Sequence, residues 1–315
     1  MLSSTLERLS RRDLLVSGAA AGVGAVLSGA AAAQSAVSAA GLDTSAQHLD
    51  LFRRMSASAD DGAEVVLRYS GTVFGTLGGS EMVPLYGMEG YSPVRTYSQA
   101  DGKVLFMANE VGLFTDISTG AVLESWKNPF TDEWVEVFHL RNGPLVYAID
   151  PSRPLNTAGW RFLIDLPGAE KGFRMPIIDE SGSTIVNLDA QARRKNPLQP
   201  NAWPRESTGE TLIYSEHNSW HMNSADVRNP KVASIPVFAA WHSHKMWRPW
   251  MLMGTRPGHI YNHLFARKIS GVDALPRPQR AYLERHFPSF LKAPTSQSGT
   301  YKDDATHFME KRSPK

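Results

Sequence analysis

The chain has 315 residues, 42% of them apolar, with no cysteine and a formal net charge of +2. So small a basic surplus does not fit a phosphate-backbone partner, and nucleic acid is not expected. Without thiols, disulfides, iron–sulfur clusters and cysteine-ligated zinc are excluded, and any metal would need histidine and carboxylate ligands.

The N-terminus reads as an export signal. Ser10-Arg11-Arg12-Asp13-Leu14-Leu15 resembles the twin-arginine pattern, with Leu14 in its aromatic slot and Val16 where lysine is common. Residues 16–33 are rich in alanine and glycine and end at Ala31-Ala32-Ala33, a small-residue cleavage site. A membrane span needs about 20 strongly apolar residues, and this run is poor in Leu, Ile and Phe. Residues 1–33 are therefore predicted to be a signal peptide handled by the twin-arginine (Tat) translocon. Cleavage would leave a periplasmic protein with no stable membrane span.

Residues 34–62 are expected to be a linker and a short helix, because Leu49, Leu51, Phe52 and Met55 fall at helical spacing and Asp60-Asp61-Gly62 ends the run. From residue 63 the period changes to two. Val65, Leu67, Tyr69 and Val73 share one parity; Glu64, Arg68, Ser70 and Thr72 share the other. Turns are predicted at 100–102, 116–120, 128–132 and Asn142-Gly143-Pro144, with strands between them. Such short strands joined by Gly, Asn and Asp turns predict an antiparallel meander. Residues 150–210 are rich in proline and charge and read as long loops with short strands. Residues 211–214 and 235–241 are predicted strands, whereas 247–253 and 259–268 fit either period. Leu275-Pro276-Arg277-Pro278 opens a C-terminal helix within 276–294, with Tyr282, Leu283 and Phe287 on one face and Pro288 at its end. The β domain thus spans 63–275, and the polar residues 295–315 are expected to be disordered.

Several segments carry a resemblance. They are Phe114-Thr115-Asp116 with Thr119-Gly120, then Leu123-Glu124-Ser125-Trp126-Lys127-Asn128-Pro129, Thr131 and residues 133–137. A later segment, 247–258, holds Pro249-Trp250 and Met253-Gly254. Together they resemble an exported family, domain of unknown function 1838, over most of residues 60–295. Asp132-Glu133 stands where Gly-Glu is commoner, which alters only turn chemistry. The resemblance implies no activity. It is compatible with a mainly β fold, an antiparallel meander closing into a calycin-like barrel, with a short N-terminal helix and a C-terminal helix.

Histidines and aromatics gather late in the chain. His217, His221, His242, His244, His259 and His263 lie within 47 positions. On a strand, His242 and His244 would share a face about 6.5–7 Å apart, a spacing one metal can bridge. His217 and His221, or His259 and His263, would converge on a helix but lie about 13 Å apart on a strand. No HExxH-type signature is present. Trp220, Trp241, Trp247 and Trp250, with neighbouring Tyr and Met, have the composition of an apolar pocket. His242, His244, Met246 and Arg248 share the parity of Phe238, and a pure core would not hold them unpartnered. That parity makes His242 and His244 the leading acid–base candidates, followed by His217, Glu216 and Tyr214. Arg68 and Arg95 are candidate ligand-orienting residues if their strand faces line a barrel interior.

These residues lead to three expectations. The first is a periplasmic, cofactor-independent enzyme of lyase, isomerase or hydratase type, acting by acid–base catalysis on a hydrophobic or aromatic small molecule. The second is a non-catalytic binding protein using the same pocket. The third is a His-ligated metalloenzyme.

Overall fold

The computed structural model describes residues 42–154, the backbone of 160–162, and residues 171–312. The predicted export signal lies outside these residues. Helix α1 spans Ser45–Ser56. Thr44 caps it: its hydroxyl accepts from the Gln47 N–H, and the Gln47 side chain accepts from the Thr44 N–H. Twelve strands follow among the described residues: β1 Val65–Leu77, β2 Val83–Ser98, β3 Val104–Thr115, β4 Ser125–Lys127, β5 Trp134–Glu136, β6 Leu140–Ile149, β7 Trp160–Phe162, β8 Ile177–Glu180, β9 Ser183–Lys195, β10 Thr211–Asn223, β11 Phe238–Lys245 and β12 Gly258–Ile269. Helix α2, Ser224–Arg228, lies between β10 and β11; α3, Arg277–His286, and α4, Asp304–Lys311, follow β12. No helix among the described residues is long and apolar enough to cross a membrane.

The fold is mainly β, as expected, with an N-terminal and a C-terminal helix. Nine strands run in the order β6-β3-β2-β1-β12-β11-β10-β9-β7, with β8 also paired to β9. All neighbours are antiparallel. This sheet curls into a half-barrel whose path ends, among the described residues, at β6 and β7. β4 and β5 make a separate ribbon.

Two glycines allow close approach inside the sheet. At Gly71 a Cβ would stand 2.1 Å from the His263 carbonyl oxygen on β12; at Gly90 it would lie 1.8 Å from the Tyr69 ring. Tyr69 therefore crosses the β2 backbone and reaches β3, where its hydroxyl donates to Glu110 at 2.8 Å.

The main core lies on the concave side. Helix α1 contributes the buried Leu51 and Met55 to it. The Phe52 ring packs against Phe106 and Phe173, with centroids 6.4 and 5.7 Å away. Arg54 ties α1 down by donating to the Asp226, Val227, Asn229 and Val232 carbonyls. A smaller core sits on the convex side, where Leu275 and Leu283 cover Val66, Tyr91, Val111 and Leu113.

The structure departs from three sequence expectations. Residues 183–195, read as loop, form the thirteen-residue β9. Its inward set is Thr184, Val186, Leu188, Ala190 and Ala192, whose small members carry little strand propensity. Asn142-Gly143-Pro144, read as a turn, lies inside β6, where the register to β3 shifts. The polar tail expected to be disordered contains α4. It docks on the β6 edge through reciprocal Gly143–Lys302 backbone bonds of 2.9 and 3.2 Å, and it buries Phe308 against Phe138 and Trp203.

Gly90→Ala should cost about 3 kcal/mol in urea unfolding, because the new methyl group meets a ring that cannot withdraw. A second expectation concerns pH. His139 is buried, its Nδ1 accepts from the Phe114 N–H at 3.1 Å, and burial holds its pKa down to about 3. Its neutral form is thus favoured in the fold. The stability it contributes is present above pH 6.5 and is lost as pH falls toward 3. His139→Asn, which keeps an acceptor, should flatten the acid limb of a melting-temperature profile.

Candidate functional site

The concave side of the half-barrel holds a partly open cavity of about 460 Å³. The inward parity of β10 supplies Leu212, Tyr214, Glu216, Asn218 and Trp220, and β11 supplies Trp241 and Lys245. β3 and β6 add Phe106, Glu110 and Asn142, and β9 adds Leu188 and Arg194. The C-terminal segment completes the wall with Tyr301, Asp303 and Asp304. Tail residues are therefore part of the site.

The charged lining groups are organised in pairs. Arg194 meets Asp303 at 2.5 Å, Lys245 meets Glu216 at 3.1 Å, and Arg248 meets Asp304 at 3.3 Å. The Arg194 guanidinium also lies 5.7 Å from the Tyr214 ring. Arg248 is buried, with its guanidinium 4.6 Å from the centre of the Phe114 ring. Burial raises the Asp304 carboxyl to about 6, against the opposing pull of Arg248. Asn142 bridges two sides of the cavity: its amide donates to Glu110 at 2.6 Å, and its oxygen accepts from the Asp304 N–H at 3.1 Å.

Tyr69 stands at the meeting point. Burial and the adjacent Glu110 carboxylate push its hydroxyl well above the usual tyrosine range; Arg248 opposes this, and Glu216 adds to it. The hydroxyl thus remains a donor that senses both carboxylates and the guanidinium. Burial likewise raises the Tyr214 hydroxyl, with Arg194 opposing. Some buried polar atoms of lining residues have no protein partner: Thr208 Oγ1, Asn218 Oδ1, Trp220 Nε1, and Nε and Nη2 of Arg248. Buried polar atoms are usually paired, and similar unpartnered atoms lie away from the cavity, at His139 Nε2, Trp250 Nε1 and Asn262 Oδ1.

The structure divides the candidates read from the sequence. Tyr214, Glu216, Trp220, Trp241, Trp247 and Arg248 line the cavity. His242, His244 and His217 do not; they lie on the convex face. The physical reason is parity. Ala239 is buried beneath the sheet while Phe238 is half exposed outside it, so His242 and His244 follow Phe238 outward and Trp241 and Lys245 point inward. The strand stops at Lys245, and alternation no longer governs Arg248, which turns into the cavity.

On the convex face His217 Nδ1 is 2.8 Å from Asp189, and the Tyr261 hydroxyl is 2.7 Å from His242 Nδ1. The His242 and His263 rings lie 4.7 Å apart, and those of His244 and His259 5.2 Å. Partial burial lowers the His242 and His244 pKa values, as do the neighbouring imidazoles. Residues 258–269 form a strand, so His259 and His263 cannot converge as a helical pair. Among the described residues no three metal-ligating side chains gather into a site.

Arg68 and Arg95 also face away from the cavity. Arg68 forms a bidentate pair with Glu89, and Arg95 binds Glu64 at 2.8 Å. Trp250 is a core residue, with ring centroids 5.4 Å from Tyr86, 5.5 Å from Phe114 and 5.7 Å from Trp126. Sequence reading missed Glu110, Asn142, Arg194, Lys245, Asp303 and Asp304 as site residues. Only Lys245 had an available signal, since it shares the parity of Trp241.

Residues 62–311 match the family model described as a protein of unknown function, DUF1838, and the chain belongs to that family. No curated protein and no solved structure matches it.

Removing one member of a buried ion pair strands the other. Asp304→Ala should therefore cost about 3–5 kcal/mol in denaturant unfolding, whereas the Asp304→Leu, Arg248→Met double variant should fold with much of that loss restored.

Proposed function

We propose that this protein is an exported, cofactor-independent enzyme that moves a proton on a small molecule with a largely apolar or aromatic body, in lyase, isomerase or hydratase chemistry. The observation that carries this reading is the concave cavity. Its volume lies in the range of small-molecule sites, its walls are aromatic and aliphatic, and proton-handling groups converge on it. Export rests on the Ser10–Leu15 pattern and the alanines that follow.

Asp304 is the proton donor. With its carboxyl raised to about 6, it holds a proton close to the working pH, as general acids require. Glu216, kept beside Lys245, is the acceptor, and Tyr214 is a neighbouring hydroxyl donor. Trp220 and Trp241 hold the apolar body. The histidines, placed on the opposite face, take no part in this site.

A second reading, a non-catalytic binding protein, is favoured by one observation: every cation of the lining already has a carboxylate partner. The two readings part on turnover. The purified full chain should be incubated with an extract of apolar and aromatic metabolites and followed by mass spectrometry. Conversion of one component by the wild-type protein, reduced at least about 100-fold in Asp304→Asn and Glu216→Gln, supports catalysis. Because Asp304 must be protonated to act, the rate should fall as pH rises through about 6. Ligand retained without conversion at any pH would establish the binding protein instead.

A further inference from the structure

Arg248 brings more donors to the cavity wall than the fold uses. Its side chain is 7% exposed, and a guanidinium carries five N–H donors and no acceptor. Nη1 meets Asp304 at 3.3 Å. Nε and Nη2 are buried and have no protein acceptor. Burial raises the neighbouring Tyr86 hydroxyl to about 12, with Arg248 opposing, but that hydroxyl is turned to Met251 Sδ at 3.7 Å and leaves the two N–H groups unanswered. The cost exceeds that of an unpaired imidazole or indole nitrogen, because a buried charged group depends most on its hydrogen bonds.

Nε and Nη2 form one edge of the planar guanidinium, the edge with which Arg68 grips Glu89. The two N–H groups of that edge point the same way and can converge on one oxygen. The Arg248 edge has freedom to meet a ligand. Its contact with Asp304 is longer than a usual N–H···O bond. Its place over the Phe114 ring, 4.6 Å from the ring centre, survives a small shift in the guanidinium plane.

The charge of the wall decides which kind of oxygen fits. Glu110, Glu206, Glu216, Asp303 and Asp304 line the cavity against Arg194, Lys245 and Arg248, and each of these cations is already paired with a carboxylate. Asp304 thus answers the charge of Arg248 without answering its Nε and Nη2. A ligand carboxylate would add negative charge to a wall with more carboxylates than cations, whereas a carbonyl oxygen accepts from both N–H groups and adds none.

We infer that the ligand of this cavity bears a neutral carbonyl group on its apolar or aromatic body, with the carbonyl oxygen accepting from Nε and Nη2 of Arg248. The inference rests on the reading of the concave cavity as a small-molecule site and specifies which class of molecule enters it. Arg248 orients the carbonyl and draws electron density toward its oxygen, which acidifies the C–H bonds beside it for the proton transfer proposed above.

The test uses three probes with one body: a phenylalkyl methyl ketone, the hydrocarbon in which methylene replaces the carbonyl, and the phenylalkyl carboxylate. Each is titrated calorimetrically into the full chain and into the Asp304→Leu, Arg248→Met double variant, confirmed as folded by its melting temperature. The ratio of ketone to hydrocarbon affinity should be at least about tenfold higher in the wild type than in the double variant, and the wild type should bind the ketone more tightly than the carboxylate. A ketone isotopically labelled at the carbonyl carbon adds a spectroscopic readout. Its carbonyl resonance should lie downfield of its position in water when bound to the wild type, and upfield in the double variant, where the oxygen has lost its donors. In Arg248→Lys, which keeps the charge opposite Asp304 but has no planar edge, the downfield displacement should shrink. A ratio unchanged by the double substitution, an upfield displacement in the wild type, or tighter binding of the carboxylate would overturn the inference while leaving the cavity a small-molecule site. Failure of all three probes to bind at millimolar concentration would overturn the cavity reading and the inference together.

Discussion

The ring of Tyr69 laid across Gly90 is the contact on which the interior depends. A side chain at position 90 would occupy the space of the ring, so the aromatic plane can cross a neighbouring strand only there. The crossing carries a hydroxyl from β1 over β2 to Glu110 on β3, while the other side of the ring meets Trp241 on β11. One side chain thereby links four strands of the sheet and joins its apolar wall to its polar groups. The hydroxyl is held as a donor by burial and by the carboxylate it serves, and Asn142 extends the same network to α4.

The paired charges around this joint explain why the C-terminal segment folds back. Arg248 and Arg194 are drawn from the sheet side into a cavity where an isolated guanidinium would be expensive. Asp303 and Asp304, at the start of α4, supply their partners. Asp303 also caps the helix by accepting from the Thr306 N–H at 2.8 Å, which couples helix formation to charge pairing. The apolar contribution is Phe308, seated between Phe138 and Trp203. A segment that is polar in composition is thus ordered by a few specific contacts.

The two faces of the sheet differ in chemistry. The concave face combines aromatic walls with paired charges. The convex face carries the histidines, with Tyr261 and Asp189 fixing two of them, and α3 covers only the part of it formed around β1, β2 and β3. Dense in imidazole as it is, this outer face contributes none of its histidines to the lining of the concave cavity.

Much of the architecture was legible in the chain itself. Period-two alternation from Val65, the Ala100-Asp101-Gly102 hairpin, the Leu49–Met55 helical spacing and the Pro276-Arg277-Pro278 helix start are local signals, and each produced the element it predicts. The family resemblance was legible for the same reason, because it rests on contiguous motifs such as Leu123–Pro129. Alternation puts His242 and Trp241 on opposite faces, although the sequence reading assigns both to one pocket. It could not say which face is concave, since that depends on how nine strands curl and on what α1 and α4 cover. Arg248 joined the cavity because its strand ended three residues earlier, and Asp304 because an ion pair drew it across the fold. Strand and turn preferences are properties of neighbouring residues, and the sequence alone determined them. The inward face, the lining of the cavity and the raised Asp304 carboxyl arise from contacts between residues far apart in the chain, and only the tertiary structure decided those.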